Sequence, residues 1–167
     1  MPSPNPEHYG SVAGATAYHV SRANTGWADS PADAAEAALI RASVWLDGEY
    51  GHRLPGTKAT GEQYRACPRT GGVDASGFAL PDDVVWWQVE HATYEAALRE
   101  LVTPGILSPD YTPAQGVKSE TVGPISVTYR DGTGTQWRPI ASTVDDILAS
   151  LIGRRSSGVS TAMLRRA

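Results

Sequence analysis

The sequence has little of what marks a secreted, membrane-bound or metal-binding protein. Its single cysteine, Cys67, has no second cysteine with which to form an internal disulfide. No apolar run approaches the roughly 20 residues that span a membrane, and residues 1–6 lack the charged and apolar segments of a secretion signal. We therefore expect one soluble domain with extensions, stabilised by packing and by subunit contacts.

Charge is present but unevenly distributed. Residues 154–167 contain Arg154, Arg155, Arg165 and Arg166 and no acid, so this tail carries +4 and the body −8 of a net charge of −4. At long range the body repels nucleic acid, whereas the tail attracts an acidic surface. A tail without function and a tail that binds a partner fit this composition equally well.

The clearest periodic segment, Pro81–Gly105, predicts an α-helix. Large side chains recur in it at alternating steps of three and four. They are Val84, Trp87, His91, Tyr94, Leu98 and Leu101. Asp82 and Asp83 suit the positive end of the helix, and Thr103-Pro104-Gly105 is a stop signal. We expect this helix to be the platform on which the other helices pack.

Three further segments predict helices. Ser11 caps a short helix that ends near Ala23, and Ser30-Pro31-Ala32-Asp33 starts one that runs to about residue 47. The second should bury Ala35, Leu39, Ala42 and either Trp45 or Leu46. The last helix begins with a capping pair, Ser142 and Asp145, and ends at Gly153. Its apolar stripe is Val144, Ile147, Leu148, Leu151 and Ile152.

The remaining segments are irregular or extended. Residues 52–80 are rich in Gly, Pro, Thr and Arg and predict a long ordered or functional loop, with one helical turn at residues 63–66. Prolines after Gly105 indicate an extended arm. Residues 117–122 and 125–129 then predict a β-hairpin that lies on the helices or adds to a strand of another subunit. Its candidate subunit-contact residues are Val117, Val122, Ile125, Val127 and Tyr129.

These segments predict a mainly α protein, a small helical bundle with a projecting β-hairpin or extended arm and a C-terminal tail. With 167 residues, 41% of them hydrophobic, the chain is long enough for one core. We expect a single helical domain over residues 1–153, with the arm and hairpin at residues 104–140 inserted before the last helix. Residues 154–167 form the basic tail.

No residue constellation predicts catalysis, a metal site or a cofactor. His8, His19, His52 and His91 fall in separate segments, which favours structural histidines over metal ligands. Neither a phosphate-binding glycine motif nor a nucleophile elbow is present. Gly71-Gly72 beside Arg69 is read as a turn rather than an anion site. We therefore expect no enzymatic activity.

The adjacent Trp86 and Trp87 allow two interpretations. Exposed aromatic rings stack on bases in proteins that bind single strands. No basic residue stands between Pro81 and His91, however, which favours a core or subunit contact. Trp86, which lies off the helix stripe, is the aromatic that we expect to touch a neighbouring subunit.

Several segments, taken in order along the chain, resemble the head-to-tail connector, or adaptor, family of tailed bacteriophages. Some members of that family are described as DnaT-like single-stranded DNA-binding proteins. The segments are Tyr9–Ala13, Ala38–Ser43 with Leu46-Asp47, Leu54–Thr57, Cys67–Gly71, Glu95–Leu101, Leu107–Tyr111, Val122–Val127 and Val144–Leu148.

The resemblance implies a structural virion protein of the neck, present in the host cytoplasm during assembly. Such a protein forms a ring, usually twelve-fold, that binds the portal above and a head-closure or tail protein below. Genomic double-stranded DNA passes through its channel without sequence-specific binding, and no membrane is involved. The expected portal-binding residues lie in the tail: Arg154, Arg155, Met163, Leu164, Arg165 and Arg166.

An alternative function is a single-stranded DNA-binding accessory protein of replication. The tail arginines would then contact phosphates, while Trp86, Trp87 or Trp137 would stack on bases. This alternative predicts an affinity that falls steeply with salt.

Overall fold

The computed structural model describes residues 7–109, 119–122, 125–128 and 141–153. Its helices are α1 (Val12–Val20), α2 (Thr25–Ala28), α3 (Ala32–Tyr50), α4 (Trp87–Val102) and α5 (Ser142–Ile152). Its strands are β1 (Thr57–Lys58), β2 (Arg69–Thr70), β3 (Ser119–Val122) and β4 (Ile125–Thr128). Within those ranges no helix is both long enough and apolar enough to cross a membrane.

Helix α4 lies at the centre of the packing, in contact with α1, α2, α3 and α5. Val89, Ala92, Ala96 and Ala97 are buried along it. Side chains of this size allow neighbouring helices to approach closely. The predicted mainly α fold, with this helix as its platform, is confirmed.

Helices α3 and α5 bury the faces that their periodicity predicts. The buried residues of these predicted faces are Ala35, Leu39, Ala42, Trp45, Leu46, Val144, Leu148 and Leu151. Full burial of a leucine side chain contributes about 1.5–3 kcal/mol. A few such residues on each helix are therefore enough to fix which side faces α4.

The start of α4 differs from the prediction. The helix expected over residues 81–105 begins at Trp87 and ends at Val102. Val84 forms a β-bridge with Arg69, so the chain before Trp87 is extended. The predicted core stripe is wrong except at Tyr94: Val84 and Trp87 are 46% and 57% exposed, and its other members are only partly buried. The buried face of α4 carries Val89, Ala92 and Ala96 instead.

Of the predicted helix caps, the one at Ser11 is confirmed, because its Oγ accepts a hydrogen bond from the N–H three residues later at 3.0 Å. Asp82 instead accepts from the backbone N–H of Gly71 at 2.7 Å and does not cap α4. The Asp145 carboxylate accepts from the Tyr50 hydroxyl at 2.9 Å. Asp82 therefore ties the segment before α4 to the loop at Gly71, and Asp145 ties α5 to the end of α3.

The loop predicted at residues 52–80 is ordered by the antiparallel pair β1–β2 and by side-chain bonds to the backbone. Residues 63–66 do not form the predicted helical turn, because the Gln63 side chain occupies backbone groups on both sides of it. The Arg69 guanidinium donates to the carbonyl oxygens of residues 55, 56 and 66. Arg69 thus holds the loop together through bonds within the protein.

The predicted β-hairpin is present. β3 pairs with β4 in antiparallel register, with Val122 opposite Ile125 and Glu120 opposite Val127. The extended arm predicted after Gly105 is wrong at residues 106–108, which form turns and bury Leu107. The rest of the arm at residues 110–115, Val117, Tyr129 and the tail at residues 154–167 lie outside the described residues. The division into one domain and a basic tail stays a prediction.

Candidate nucleic-acid interface

Trp86 and Trp87 are neighbours in sequence but differ completely in exposure. The Trp86 ring is 3% exposed, and its Nε1 donates to the carbonyl oxygen of Pro81 at 3.0 Å. It packs so closely on Gly72 that a Cβ there would lie 3.0 Å from the ring. The prediction that Trp86 touches a neighbouring subunit is therefore wrong, because its ring is covered by its own chain. Trp87 is the exposed member of the pair.

Trp87 begins a row of rings that we call the aromatic strip: Trp87, His91, Tyr18 and the guanidinium of Arg22. The centroids of Trp87 and His91 are 5.2 Å apart, and those of His91 and Tyr18 are 4.7 Å apart. The Arg22 Cζ atom lies 3.5 Å from the centroid of the Tyr18 ring. The strip therefore runs from an exposed indole to an exposed cation.

Two helices position the strip. Trp87 and His91 are four residues apart on α4, so their side chains lie on one face. Tyr18 comes from α1, and its hydroxyl donates to Glu95 of α4 at 3.1 Å. Burial, and then the nearby Glu95 carboxylate, raise the pKa of Tyr18 to about 12, so the ring stays neutral. The strip is thus fixed by the packing of α1 on α4.

Arg22 is the available positive charge at this surface. In residues 7–109 and 141–153, ion pairs are formed by Arg41, Arg65 and Arg99, and Arg22 has no such partner. The recorded hydrogen bonds of Arg22 use Nη1, which donates to the Tyr18 carbonyl and to the Ser21 hydroxyl, both at 3.1 Å. Burial, together with the Arg22 charge, lowers the pKa of His91. The neutral imidazole does not compete with Arg22 for an anion.

His19 lies on the other side of Tyr18 and has a structural role. Its Nε2 lies 3.1 Å from the Tyr94 carbonyl oxygen, and its Nδ1 lies 3.1 Å from the Asn24 amide nitrogen. Both ring nitrogens therefore have hydrogen-bond partners within the protein, which agrees with the prediction that His19 is a structural residue. Among the described residues no group of three or more His, Cys, Asp or Glu side chains is placed to hold a metal ion.

The other residues predicted for binding are not brought to this surface by any described contact. Val122, Ile125 and Val127 lie on the β3–β4 hairpin, and their subunit contacts stay a prediction. Val117, Tyr129 and Trp137 lie outside the described residues. So do the predicted portal-binding residues Arg154, Arg155, Met163, Leu164, Arg165 and Arg166.

Sequence reasoning identified Trp87 as a candidate but missed Tyr18 and Arg22. The four-residue spacing of Tyr18 and Arg22, in a segment predicted to be helical to about Ala23, is typical of a cation–aromatic pair and was the available signal. Nothing local in the sequence shows that this pair continues the row begun by Trp87. That continuity depends on how α1 crosses α4.

Comparison with known proteins bears on the whole chain. The family model described as "Putative DnaT-like ssDNA binding protein" matches residues 1–167. No curated protein matches the sequence, and no solved structure does.

This match corrects the class predicted from the connector resemblance. A virion head-to-tail adaptor of the bacteriophage neck, with a portal-binding twelve-fold ring around a DNA channel, is contradicted by a family description that concerns single-stranded DNA. The part of the resemblance that concerned DnaT-like proteins is supported. The chain belongs to the DnaT-like ssDNA binding protein family.

Proposed function

We propose that this protein binds single-stranded DNA as a non-enzymatic accessory protein of replication, and that the aromatic strip is a contact surface. The observation that carries the proposal is the match of the DnaT-like ssDNA binding family to the whole chain. The strip supports it, because it combines an exposed tryptophan with an arginine that has no ion-pair partner among the described residues.

Each end of the strip suits one part of a nucleotide. A base stacked on an aromatic side chain contributes about 1–3 kcal/mol to the free energy of binding. All four bases can stack in this way, because every base has a π face. Trp87 is 57% exposed and offers such a face. The Arg22 guanidinium is planar and suits two oxygens of one phosphate. The proposed mechanism is therefore stacking at one end of the strip and phosphate binding at the other.

The charge of the chain favours contacts at defined points over a continuous basic groove. The net charge is −4, so the chain as a whole does not attract DNA at long range. Binding then depends on stacking and on a few local cations, and we expect the affinity to be moderate and sensitive to salt.

The proposal is tested by Trp87→Ala, with affinity for a labelled oligothymidylate measured by fluorescence anisotropy at low salt. We expect the variant to bind about 5- to 150-fold more weakly, because it loses one base stack. The matched control is Phe78→Ala, which removes a 72% exposed aromatic side chain that is not part of the strip. Wild-type protein that fails to bind at low salt contradicts the proposed function. Wild-type binding that Trp87→Ala leaves unchanged contradicts the role of the strip.

A further inference from the structure

A second surface concentrates positive charge in an otherwise acidic part of the chain. Residues 7–109 contain 7 basic and 13 acidic residues, yet residues 51–73 contain 4 of those basic residues and 1 of the acids. We call residues 51–73 the basic loop. Its basic residues are Arg53, Lys58, Arg65 and Arg69, and its acid is Glu62. Asp47 and Asp82 contact the loop from outside these residues and offset part of its charge, so the cations that they do not engage decide where it attracts an anion.

Two arginines of the basic loop are engaged in holding the protein together. Arg65 lies 3.7 Å from the Asp47 carboxylate and also donates to the carbonyl oxygen of Glu7. Arg69 donates to the three carbonyl oxygens that fix its turn. Lys58 is exposed and forms no ion pair with a described residue. Lys58 is therefore better placed than either arginine to meet a ligand.

Gln63 makes the tip of the basic loop rigid. It is 5% exposed, its Oε1 accepts from the Thr60 N–H, and its Nε2 donates to the carbonyl oxygens of Arg65 and Pro68, all at 2.9 Å. Buried amides with all these bonds fix the backbone around them. The next residue, Tyr64, is 78% exposed on this fixed backbone.

Lys58 lies beside the same peptide. Its Nζ donates to the carbonyl oxygen of Gln63 at 3.4 Å, and that carbonyl is bonded to the backbone nitrogen of Tyr64. A flexible cation and an exposed ring thus flank one rigid peptide. Sites that bind single strands combine these two elements, one for the phosphate and one for the base.

The basic loop and the aromatic strip are within reach of one strand. Lys58 pairs with Arg69, Arg69 forms a β-bridge with Val84, and Trp87 follows three residues later. With at most about 5.5 Å per pair and about 3.8 Å per residue, the Cα atoms of Lys58 and Trp87 lie within about 22 Å of each other. A single strand of several nucleotides covers that distance, since single-strand sites hold about 4–16 nucleotides.

We propose that the basic loop is a second contact for single-stranded DNA, at which Tyr64 stacks on a base and Lys58 binds a phosphate. The inference rests on the proposed function and extends it, because one strand then contacts both the loop and the strip. It assigns the ligand by its chemistry: an unpaired base next to an anionic phosphate.

The experiment compares Tyr64→Ala with Tyr64→Phe in the full chain, using a labelled oligothymidylate of about 20 nucleotides, long enough to cover both surfaces. We expect Tyr64→Ala to bind about 5- to 150-fold more weakly. Tyr64→Phe, which keeps the ring, should bind like the wild type. An equal loss in both variants overturns stacking in favour of a role of the hydroxyl group. Circular dichroism and thermal melting check that both variants fold.

Lys58 has its own readout, the dependence of affinity on salt. We expect Lys58→Ala to reduce the slope of log affinity against log salt by about 0.7, the value for one phosphate on a single strand. Lys58→Arg should keep the wild-type slope. An unchanged slope in Lys58→Ala would show that Lys58 does not bind a phosphate.

The outcomes separate the two proposals. Wild-type protein that binds no oligothymidylate overturns the proposed function, and this inference with it. Binding that Trp87→Ala weakens and Tyr64→Ala leaves unchanged overturns the second contact alone. A third readout is photo-crosslinking to a thiouridine-labelled strand. Crosslinks that map to the peptide around Tyr64, and persist in Trp87→Ala, support the second contact.

Discussion

At the scale of single residues, His19 has one favoured protonation state. The Tyr94 carbonyl is an acceptor, so Nε2 carries the proton, and the Asn24 amide nitrogen is a donor, so Nδ1 accepts. Burial lowers the pKa of His19; the Tyr94 carbonyl and the Glu95 charge oppose this, whereas Arg22 and Arg99 add to it. The folded protein therefore holds a neutral imidazole where the unfolded chain takes up a proton more readily.

This difference predicts that His19 makes folding dependent on pH. The pKa of an unperturbed histidine is 6.5 and that of His19 in the folded protein is lower, so the unfolded state binds the proton first as the pH falls. The contribution of His19 to stability is present above pH 6.5, the pKa in the unfolded chain. It is lost as the pH falls from there through the lower pKa of the folded protein. Urea unfolding should show the loss in the wild type and a flatter pH profile in His19→Gln. His52→Gln, at an exposed histidine, is the control. Parallel profiles for the wild type and His19→Gln would contradict the prediction.

The exposure of the two adjacent tryptophans, Trp86 and Trp87, could not be predicted from the sequence. Periodicity named Trp87 as a member of the stripe of α4 and left Trp86 off it. The burial of Trp86 depends on contacts with Gly72 and with the Pro81 carbonyl, neither of which a helical pattern contains. Exposure at a helix start is decided by the preceding loop, and that loop is built by long-range bonds.

At the scale of elements, α1, α3 and α5 were predictable, whereas α2, the start of α4 and the form of the loop were not. The faces of α3 and α5 follow from local spacing, since 3.6 residues per turn fix which side chains share a side. The basic loop is held by a buried Gln63, by Arg69 on three carbonyls and by Asp82 on a backbone N–H. The Arg69 bonds to residues 55 and 56 and the Asp82 bond to Gly71 join residues 11–14 positions apart, and the Gln63 bonds are specific side-chain contacts to the backbone. Composition therefore indicated a loop without revealing its form.

The end of α4 depends on Glu100. This side chain is 3% exposed, and its carboxylate accepts from the N–H groups of Gly105 and Leu107 at 2.9 and 3.0 Å. It also accepts from Arg41 of α3 at 3.2 Å. One carboxylate thus holds the turn that follows the helix and joins it to α3.

We therefore expect Glu100→Ala and Arg41→Ala to differ in their effect on stability. Glu100→Ala removes the acceptor of two backbone N–H groups and should lower the free energy of unfolding by about 2–4 kcal/mol. Arg41→Ala should cost about 0–1 kcal/mol, because the arginine side chain is 46% exposed and the carboxylate keeps its two N–H donors. Chemical denaturation of both variants measures the difference. Equal losses would mean that the ion pair, and not the bonds to the turn, is what matters.

At the scale of the whole molecule, function depends on how a chain of net charge −4 retains a polyanion. The aromatic strip offers the exposed Trp87 ring at one end and the Arg22 cation at the other, and the basic loop offers Tyr64 near Lys58. Both arrangements suit a strand whose bases are unpaired. The remaining concentration of positive charge is in residues 154–167, which carry +4. If the tail arginines contact phosphates, as the replication-accessory hypothesis requires, the tail supplies most of the dependence on salt.

This contribution is predicted to be measurable as a slope. Each phosphate neutralised on a single strand contributes about 0.7 to the slope of log affinity against log salt, so four tail arginines contribute at most about 2.8. Replacement of Arg154, Arg155, Arg165 and Arg166 by glutamine should therefore reduce the slope by up to about 2.8 and weaken binding most at low salt. The same four positions changed to lysine keep the charge and should keep the slope, which makes them the matched control. A glutamine variant with the wild-type slope would place the phosphate contacts on the body of the protein, where Arg22 and Lys58 are the cations to test next.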